Sequence, residues 1–315
     1  MPYLYNVENK ISIHIIAITL IVFIAITTIM YLFTSNYIDK KRLKSIYDYI
    51  AAEDYDNASF LFNDLYTKRP LNKNILKTGI DLYYDILIRT DKKEVIISAS
   101  ESIIKYAKQL LLTSKFIKDR NIIYQRLGYS YQRLGKSYYI DSYNSYINAL
   151  NNGDNRVSTT IELSKICYEI GLYEDAIKYL EDAIDRELKE SSERFINMEL
   201  YYELANAYEK NKDYTKAIQI LSSMDTDGKL NNNTMLESKS YFKLGSLYLR
   251  QGLYKESEFF YKKALDIDDK NPDLYYSIGK LYLETKRRNE AIKMFREAIK
   301  IDNSYKPARD TLRRL

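Results

Sequence analysis

Residues that could perform nucleophilic or metal chemistry are scarce in this chain. It contains one cysteine, Cys167, and one histidine, His14. His14 lies at the edge of an apolar segment, where it has no partner for a Ser-His-Asp or Cys-His arrangement. One cysteine and one histidine also provide too few ligands for a zinc site, and a single cysteine excludes a disulfide within the chain.

Two further patterns are weak indications of catalysis. Gly135-Lys136-Ser137 matches the end of a phosphate-binding loop, but Ser130 stands where the first glycine is required, and no strand precedes the segment. Paired carboxylates can act as acid and base when a cleft separates their pKa values. The candidates, none of which stands out, are Glu203 and Glu209, Asp266 and Asp268, and Glu181, Asp182 and Asp185. The sequence therefore predicts a non-enzymatic protein without catalytic residues, cofactor or metal; an enzyme of unknown class is the least favoured alternative.

The feature that organises the chain is a pattern repeated between Ser238 and Tyr305. The motif Tyr-x-x-Leu-Gly-x-x-Tyr at 241–248 is followed 34 residues later by Tyr-x-x-Ile-Gly-x-x-Tyr at 275–282. A fixed period of this length, with this spacing of aromatic, small and branched residues, resembles the tetratricopeptide repeat (TPR). The resemblance implies an all-α fold in which helix pairs stack into a right-handed α-solenoid.

Small residues recur at two positions of this repeat, counted from Ser238 as position one. Small side chains let helix backbones approach closely. Large side chains at positions four, seven, eleven and twenty-four form one apolar stripe per helix. One pair cannot bury its stripe alone, so several pairs must stack. The small residues are Gly128, Ser164, Ala205, Gly245 and Gly279 at position eight, and Ser142, Ala176, Ala217, Ser257 and Ala291 at position twenty.

The same register extends toward the amino terminus with spacers. We predict degenerate TPR-like helical pairs over 39–120, with a long last helix at about 94–118, and a capping helix over 306–315 that has Pro307 in its first turn. Polar loops or helix extensions are expected around 189–194 and 227–234. The predicted TPR array covers 121–305, with repeats at about 121–156, 157–190, 198–231, 238–271 and 272–305, and two inserted residues in the first.

The amino-terminal segment has the composition of a membrane anchor. No charged residue occurs between Lys10 and Asp39. The run 15–33 would span about 28 Å as a helix, close to the hydrocarbon thickness of a bilayer. We therefore predict a transmembrane helix over 11–38 after a tail at 1–10. A cleaved signal peptide fits less well because no small-x-small cleavage site follows, and a buried core helix would not be apolar on every face.

The charges that flank this segment predict its orientation. Lys40, Lys41, Arg42 and Lys44 follow the segment, so the positive-inside rule places the repeats on the cytoplasmic side. The abundance of tyrosine, isoleucine, lysine and asparagine is typical of an AT-rich bacterial genome. In a bacterium, one transmembrane helix over 11–38 predicts a single-pass protein of the inner (cell) membrane. The net charge of +5 is spread among mixed signs, so no nucleic-acid partner is expected.

The resemblance also implies where a partner binds. In TPR proteins the first helices of successive repeats line a concave groove that takes an extended peptide or a partner helix. Repeats that clamp acidic chaperone tails pair a lysine at position five with an asparagine at position nine; here Tyr202 precedes Asn206, so that ligand is not predicted. The groove residues that we predict are Tyr202, Asn206, Lys210, Lys239, Phe242, Ser246, Arg250, Tyr276, Lys280 and Glu284.

These observations together predict a membrane-anchored TPR scaffold. It would mediate protein–protein interactions through the concave face of the solenoid, and the bilayer would hold it through residues 11–38. The alternative is a TPR component of envelope assembly or secretion that has the opposite topology and faces the periplasm.

Overall fold

The computed structural model describes residues 2–113, 117–190, 198–226 and 234–315, without the side chains of 2–19, 31–34, 36, 190, 225 and 226. These residues form fifteen α-helices and one short 3₁₀ helix, and they include no strand. The expected all-helical, TPR-type fold is therefore confirmed for the described part of the chain. The chain divides into two compact units, Met1–Gly153 and Asp154–Leu315.

The first unit is built from helices that pack against their neighbours in sequence. Its core includes Phe62 and Tyr106, whose rings meet edge to face at 5.3 Å. Helix α4 ends at Thr113, earlier than the predicted 118, and residues 114–116 lie outside the description. The elements are α1 (Pro2–Ala51), α2 (Tyr55–Lys68), α3 (Lys73–Ile88), α4 (Lys93–Thr113), α5 (Arg120–Leu134), a 3₁₀ helix (Lys136–Tyr138) and α6 (Tyr139–Asn151).

The described residues of the second unit form four helix pairs and a final single helix. The predicted spacers around 189–194 and 227–234 fall largely on residues 191–197 and 227–233, which lie outside the described residues. The elements are α7 (Val157–Glu169), α8 (Tyr173–Glu190), α9 (Met198–Lys210), α10 (Tyr214–Thr226), α11 (Thr234–Arg250), α12 (Tyr254–Ile267), α13 (Pro272–Glu284), α14 (Arg288–Ile301) and α15 (Lys306–Arg314).

In six of the helix pairs the turn holds one residue with a left-handed backbone, at position fifteen of the repeat; the turn between α3 and α4 has none. Glycine adopts this conformation without steric cost, whereas other residues adopt it at a penalty. Its occurrence in the pair α1–α2 shows that this degenerate copy keeps the repeat register. The φ values are 58° at Glu53, 100° at Gly135, 84° at Gly171, 66° at Lys212, 72° at Gly252 and 60° at Lys286.

Close packing of the two helices in a pair depends on the small residues at positions eight and twenty. Ser257 and Ala291 at position twenty are fully buried. The Ser257 hydroxyl also donates a hydrogen bond of 2.8 Å to the carbonyl oxygen of Gly245, at position eight of the same pair. Ser142 makes the same bond to Gly128 at 2.8 Å. A small polar residue at position twenty thus satisfies a backbone acceptor as well as leaving room for the neighbouring helix.

Helix α15 packs on α14 at the end of the last pair. Pro307 lies in its first turn, where a missing N–H costs nothing. Ala308 is fully buried, while Arg313 and Arg314 are exposed. The ring of Tyr305, just before the helix, packs edge to face on Tyr276 at 5.8 Å. This arrangement gives the stack a polar outer face, which a terminal repeat needs for solubility.

Helix α1 contains the segments predicted as an amino-terminal tail and a transmembrane helix. It runs from Pro2 to Ala51 without interruption, so residues 2–10 are helical. Among the described residues, no helix combines the length and the apolar composition required to cross a bilayer, and the predicted anchor over 11–38 is not supported. Many side chains of that segment, including that of His14, lie outside the described residues.

Candidate partner-binding cavity

The candidate site lies on the first helices of three successive pairs in the second unit. Helix α9 contacts α11, and α11 contacts α13, so these helices present adjacent faces. Between them is an open cavity of about 500 Å³. Its lining residues are Tyr202 and Glu209 on α9; Phe242, Lys243, Ser246, Leu249 and Arg250 on α11; Tyr254 and Tyr261 on α12; and Ser277, Lys280 and Glu284 on α13.

The structure brings six of the ten predicted groove residues into this cavity: Tyr202, Phe242, Ser246, Arg250, Lys280 and Glu284. The other four are not part of the lining. Lys210 and Lys239 are exposed elsewhere on α9 and α11. The Tyr276 ring packs 5.6 Å from the Phe295 ring, within its own helix pair. The Asn206 amide lies 3.4 Å from the Glu203 carboxylate.

An ion cluster joins α9 to α11, and Arg250 is its only member in the predicted groove set. The Lys243 ammonium lies 2.7 Å from the Glu209 carboxylate, and Nε of Arg250 lies 3.5 Å from the same group. The Glu209 side chain is only 13% exposed, whereas that of Arg250 is 58% exposed. Lys243 stands at position six, and no repeat rule assigns a binding role to that position. Lys243 belongs to the site because its ammonium contacts Glu209 on the neighbouring helix α9.

The floor of the cavity is aromatic and hydroxylic. The Phe242 ring lies 5.8 Å from the ring of Tyr261, and the Tyr261 hydroxyl is 3.1 Å from Oγ of Ser246. Burial raises the pKa of Tyr261. Burial, with help from the nearby Glu203 and Glu209 carboxylates, raises the pKa of Tyr202 to about 12. Both phenols are therefore neutral near pH 7 and can donate hydrogen bonds to a bound segment.

The cavity lining contains cations, carboxylates, hydroxyls and aromatic rings but neither cysteine nor histidine. Cys167 is fully buried, and burial raises the pKa of its thiol to about 12, so it is a packing residue. In the described ranges no group of three His, Cys, Asp or Glu side chains could hold a metal ion. The arrangement can recognise a ligand by shape, charge and hydrogen bonding.

Several of the carboxylates noted in the sequence have structural partners. Glu181 on α8 accepts a hydrogen bond from the Tyr208 hydroxyl on α9, and Asp182 pairs with Arg186 at 2.8 Å. The segment Lys136–Tyr138, which resembles part of a phosphate-binding loop, is a 3₁₀ helix that follows α5. It accommodates the two residues inserted in that repeat.

Comparison with known proteins supports the repeat assignment. Two tetratricopeptide-repeat family models match residues 236–304 and 163–228. The chain therefore carries tetratricopeptide repeats over these two ranges, which include α11–α14 and most of α7–α10. No curated protein sequence matches this chain.

Solved structures that resemble this chain share its fold. The C-terminal part of a TPR repeat-containing protein from Cytophaga hutchinsonii aligns with a TM-score of 0.62 at 17% identity, over 85% of this chain and 98% of the other. A tetratricopeptide repeat protein from Parabacteroides merdae aligns with a TM-score of 0.54 at 14% identity, over 87% of this chain and 97% of that one. At these identities the likeness concerns the fold alone.

Proposed function

We propose that this protein is a non-enzymatic scaffold that binds partner proteins through the cavity on α9, α11 and α13. The observation that carries the proposal is the convergence of the first helices of three successive repeats on one open cavity. Partly buried aromatic residues such as Tyr202 and Phe242 provide apolar contact area. Ser246, Arg250 and Lys280 provide hydrogen-bonding groups around them. This mixture suits recognition of a peptide's main chain and side chains.

The size of the cavity favours a short extended segment as the ligand. A volume of about 500 Å³ falls within the range of roughly 300–1,000 Å³ typical of ligand pockets. It can receive a few residues of a partner but not a folded domain. The rest of the partner would lie outside the cavity, against the exposed ends of the lining side chains.

Substitution of Phe242 tests this proposal. We expect the full chain to enrich binding peptides from a phage-displayed library of random peptides, and Phe242→Ala to weaken the best of them by about tenfold, because aromatic anchors in the centre of an interface carry much of the binding energy. Fluorescence anisotropy with the synthetic peptide measures the change. Phe259→Ala is the matched control, since Phe259 is 55% exposed on α12 and is not part of the cavity lining. The proposal would be contradicted if the chain enriched no peptide, or if Phe242→Ala and Phe259→Ala lost the same amount of affinity for the peptide.

We further propose that the scaffold is held at the cell membrane with its repeats on the cytoplasmic side. The uncharged run 11–38 and the cations that follow it support this location. The exposure of apolar side chains within that run also supports it; Ile21 and Phe23, for example, are each 65% exposed.

Cell fractionation and fusion reporters test the location. We expect the protein to remain in the membrane fraction after a carbonate wash, and a carboxy-terminal alkaline phosphatase fusion to be inactive, because that enzyme matures only outside the cytoplasm. Deletion of 11–38 should release the protein from membranes. An active fusion would support the periplasm-facing alternative, and a full-length protein that washes free would contradict membrane anchoring.

A further inference from the structure

Glu209 occupies an unusual position in the proposed binding cavity. Its carboxylate comes from α9, while the two cations that hold it, Lys243 and Arg250, come from α11. The Glu209 side chain is 13% exposed and that of Lys243 is 24% exposed, so water screens this pair only in part. The cavity thus already contains a carboxylate bound at a two-cation site.

We propose that the cavity selects peptide segments that carry an aspartate or glutamate together with an apolar residue, and that Glu209 competes with the incoming carboxylate for Arg250 and Lys243. The inference rests on the proposed function, because it assumes that a peptide segment binds in this cavity. It assigns the chemistry of the ligand and gives Glu209 a role in setting the affinity.

The charges of the lining favour an anionic ligand. Lys243, Arg250 and Lys280 are cations, and Glu209 and Glu284 are anions, so one positive charge is left uncompensated. Within the described ranges Lys280 forms no ion pair; its ammonium lies 5.9 Å from the centre of the Tyr276 ring. A ligand carboxylate would balance the lining, whereas a basic segment would add to the excess positive charge.

The geometry of Arg250 leaves room for a second carboxylate. Its contact with Glu209 is a long one, 3.5 Å from Nε, and its side chain is 58% exposed. A guanidinium has five N–H donors, and its terminal pair matches the two oxygens of a carboxylate. An incoming aspartate or glutamate can therefore approach Arg250 from the cavity side, while the Phe242 ring, about two turns earlier on α11, would hold an apolar residue of the same segment.

The same geometry makes Glu209 a competitor. A ligand carboxylate at Arg250 lies close to the Glu209 carboxylate, and like charges in a poorly screened site repel each other. Replacing Glu209 with glutamine removes the repulsion and leaves both cations to the ligand. The protein as it stands therefore binds acidic segments more weakly than its cations alone would permit.

The experiment uses the full chain and the peptides enriched from the random library. We expect the enriched sequences to contain aspartate or glutamate together with an apolar residue. A synthetic peptide of this kind should bind about tenfold more tightly than its analogue with glutamine in place of glutamate. Glu209→Gln should tighten binding of the acidic peptide about fivefold or more, with little effect on the analogue.

Two further variants make the result specific. Glu256→Gln removes the same charge from an exposed position on α12 outside the cavity, so it should change the affinity by less than about twofold. Arg250→Ala should abolish the preference for the acidic peptide over its analogue, and because Arg250 is 58% exposed it tests the inference even if Glu209→Gln reduces stability.

The outcomes separate the two proposals. Three results would overturn the acidic ligand and the role of Glu209 while peptide binding itself would stand. They are enrichment of peptides without acidic residues, an unchanged preference for the acidic peptide in Arg250→Ala, and equal effects of Glu209→Gln and Glu256→Gln on its affinity. Failure of the full chain to enrich any peptide would overturn the proposed function and this inference together.

Discussion

Replacing Phe295 with alanine is expected to lower the free energy of unfolding of the second unit by about 3–5 kcal/mol. Phe295 stands at position twenty-four of the last repeat and is fully buried on α14. Its ring lies 5.6 Å from the Tyr276 ring and fills the space opposite Gly279. Truncation removes buried apolar area and leaves a cavity that the surrounding helices close only in part.

Chemical denaturation of the full chain, with amide hydrogen exchange to localise the effect, measures this loss. The reduction in protection should be largest in α13, α14 and α15, because each repeat of such a stack depends mainly on its neighbours. Phe259→Ala in the adjacent repeat is the matched control: its side chain is 55% exposed, and we expect a cost below about 1 kcal/mol. Comparable losses of stability in Phe295→Ala and Phe259→Ala would show that the buried residue at position twenty-four contributes no more to stability than an exposed phenylalanine.

Replacing Gly245 with alanine should destabilise the second unit by about 1–3 kcal/mol, although the same change inside a helix usually stabilises by roughly 0.5–1 kcal/mol. The sign reverses because a Cβ at Gly245 would lie 2.4 Å from Cδ1 of Tyr261. Tyr261 is 1% exposed and is held by Ser246 through its hydroxyl, so its ring cannot move aside easily. The two helices of the pair must separate or the ring must leave its preferred rotamer.

A double-mutant cycle distinguishes this clash from a general effect of the added methyl group. Tyr261→Leu should reduce the cost of Gly245→Ala by at least about 0.5 kcal/mol, since the two residues are in contact. Gly252→Ala is the control: no atom lies within 4 Å of a Cβ there, and its cost comes from a φ of 72°. That cost should be the same with Tyr261 or Leu at position 261. Additive behaviour of Gly245→Ala would argue against the clash.

The pairing of helices could be predicted from the sequence because the repeat encodes contacts at short range. Gly245 and Ser257 are twelve residues apart in one repeat, and their contact is made within one helix pair. The same spacing recurs in other copies, so small residues at positions eight and twenty were sufficient to predict the close approach. Pro307 and Ala308 likewise predicted the start and the buried face of the last helix.

Other features of the structure could not be predicted from the spacing of residues in the sequence. Glu53 and Lys286 adopt the left-handed turn conformation that glycine adopts in other copies, because the two helices that flank each turn impose it. The described part of helix α4 reaches Thr113 and residue 117 is not helical, although the pattern predicted a helix to about 118. The apolar composition of 11–38 predicted a transmembrane helix, and the described residues do not support it.

The candidate site also has features that the sequence predicted and features that it did not. Repeat positions placed Phe242, Ser246 and Arg250 on the exposed face of α11, and these residues line the cavity. Tyr276 stands at the same repeat position as Phe242, but its ring packs between Phe295 and Tyr305 at the end of the stack. Position in the repeat therefore predicted the face of the helix, while the neighbouring elements decided whether a side chain on that face is available.

By itself the sequence determined most of the secondary structure, the pairing of helices and the small-against-large packing inside each repeat, because these depend on spacings of three, four and 34 residues along the chain. Only the tertiary structure decided that Glu209 meets Lys243 and Arg250 in the cavity. That contact joins two repeats, and the packing of α9 on α11 sets its distance. The charges available to a partner depend on such contacts between helices, which the repeat pattern does not encode.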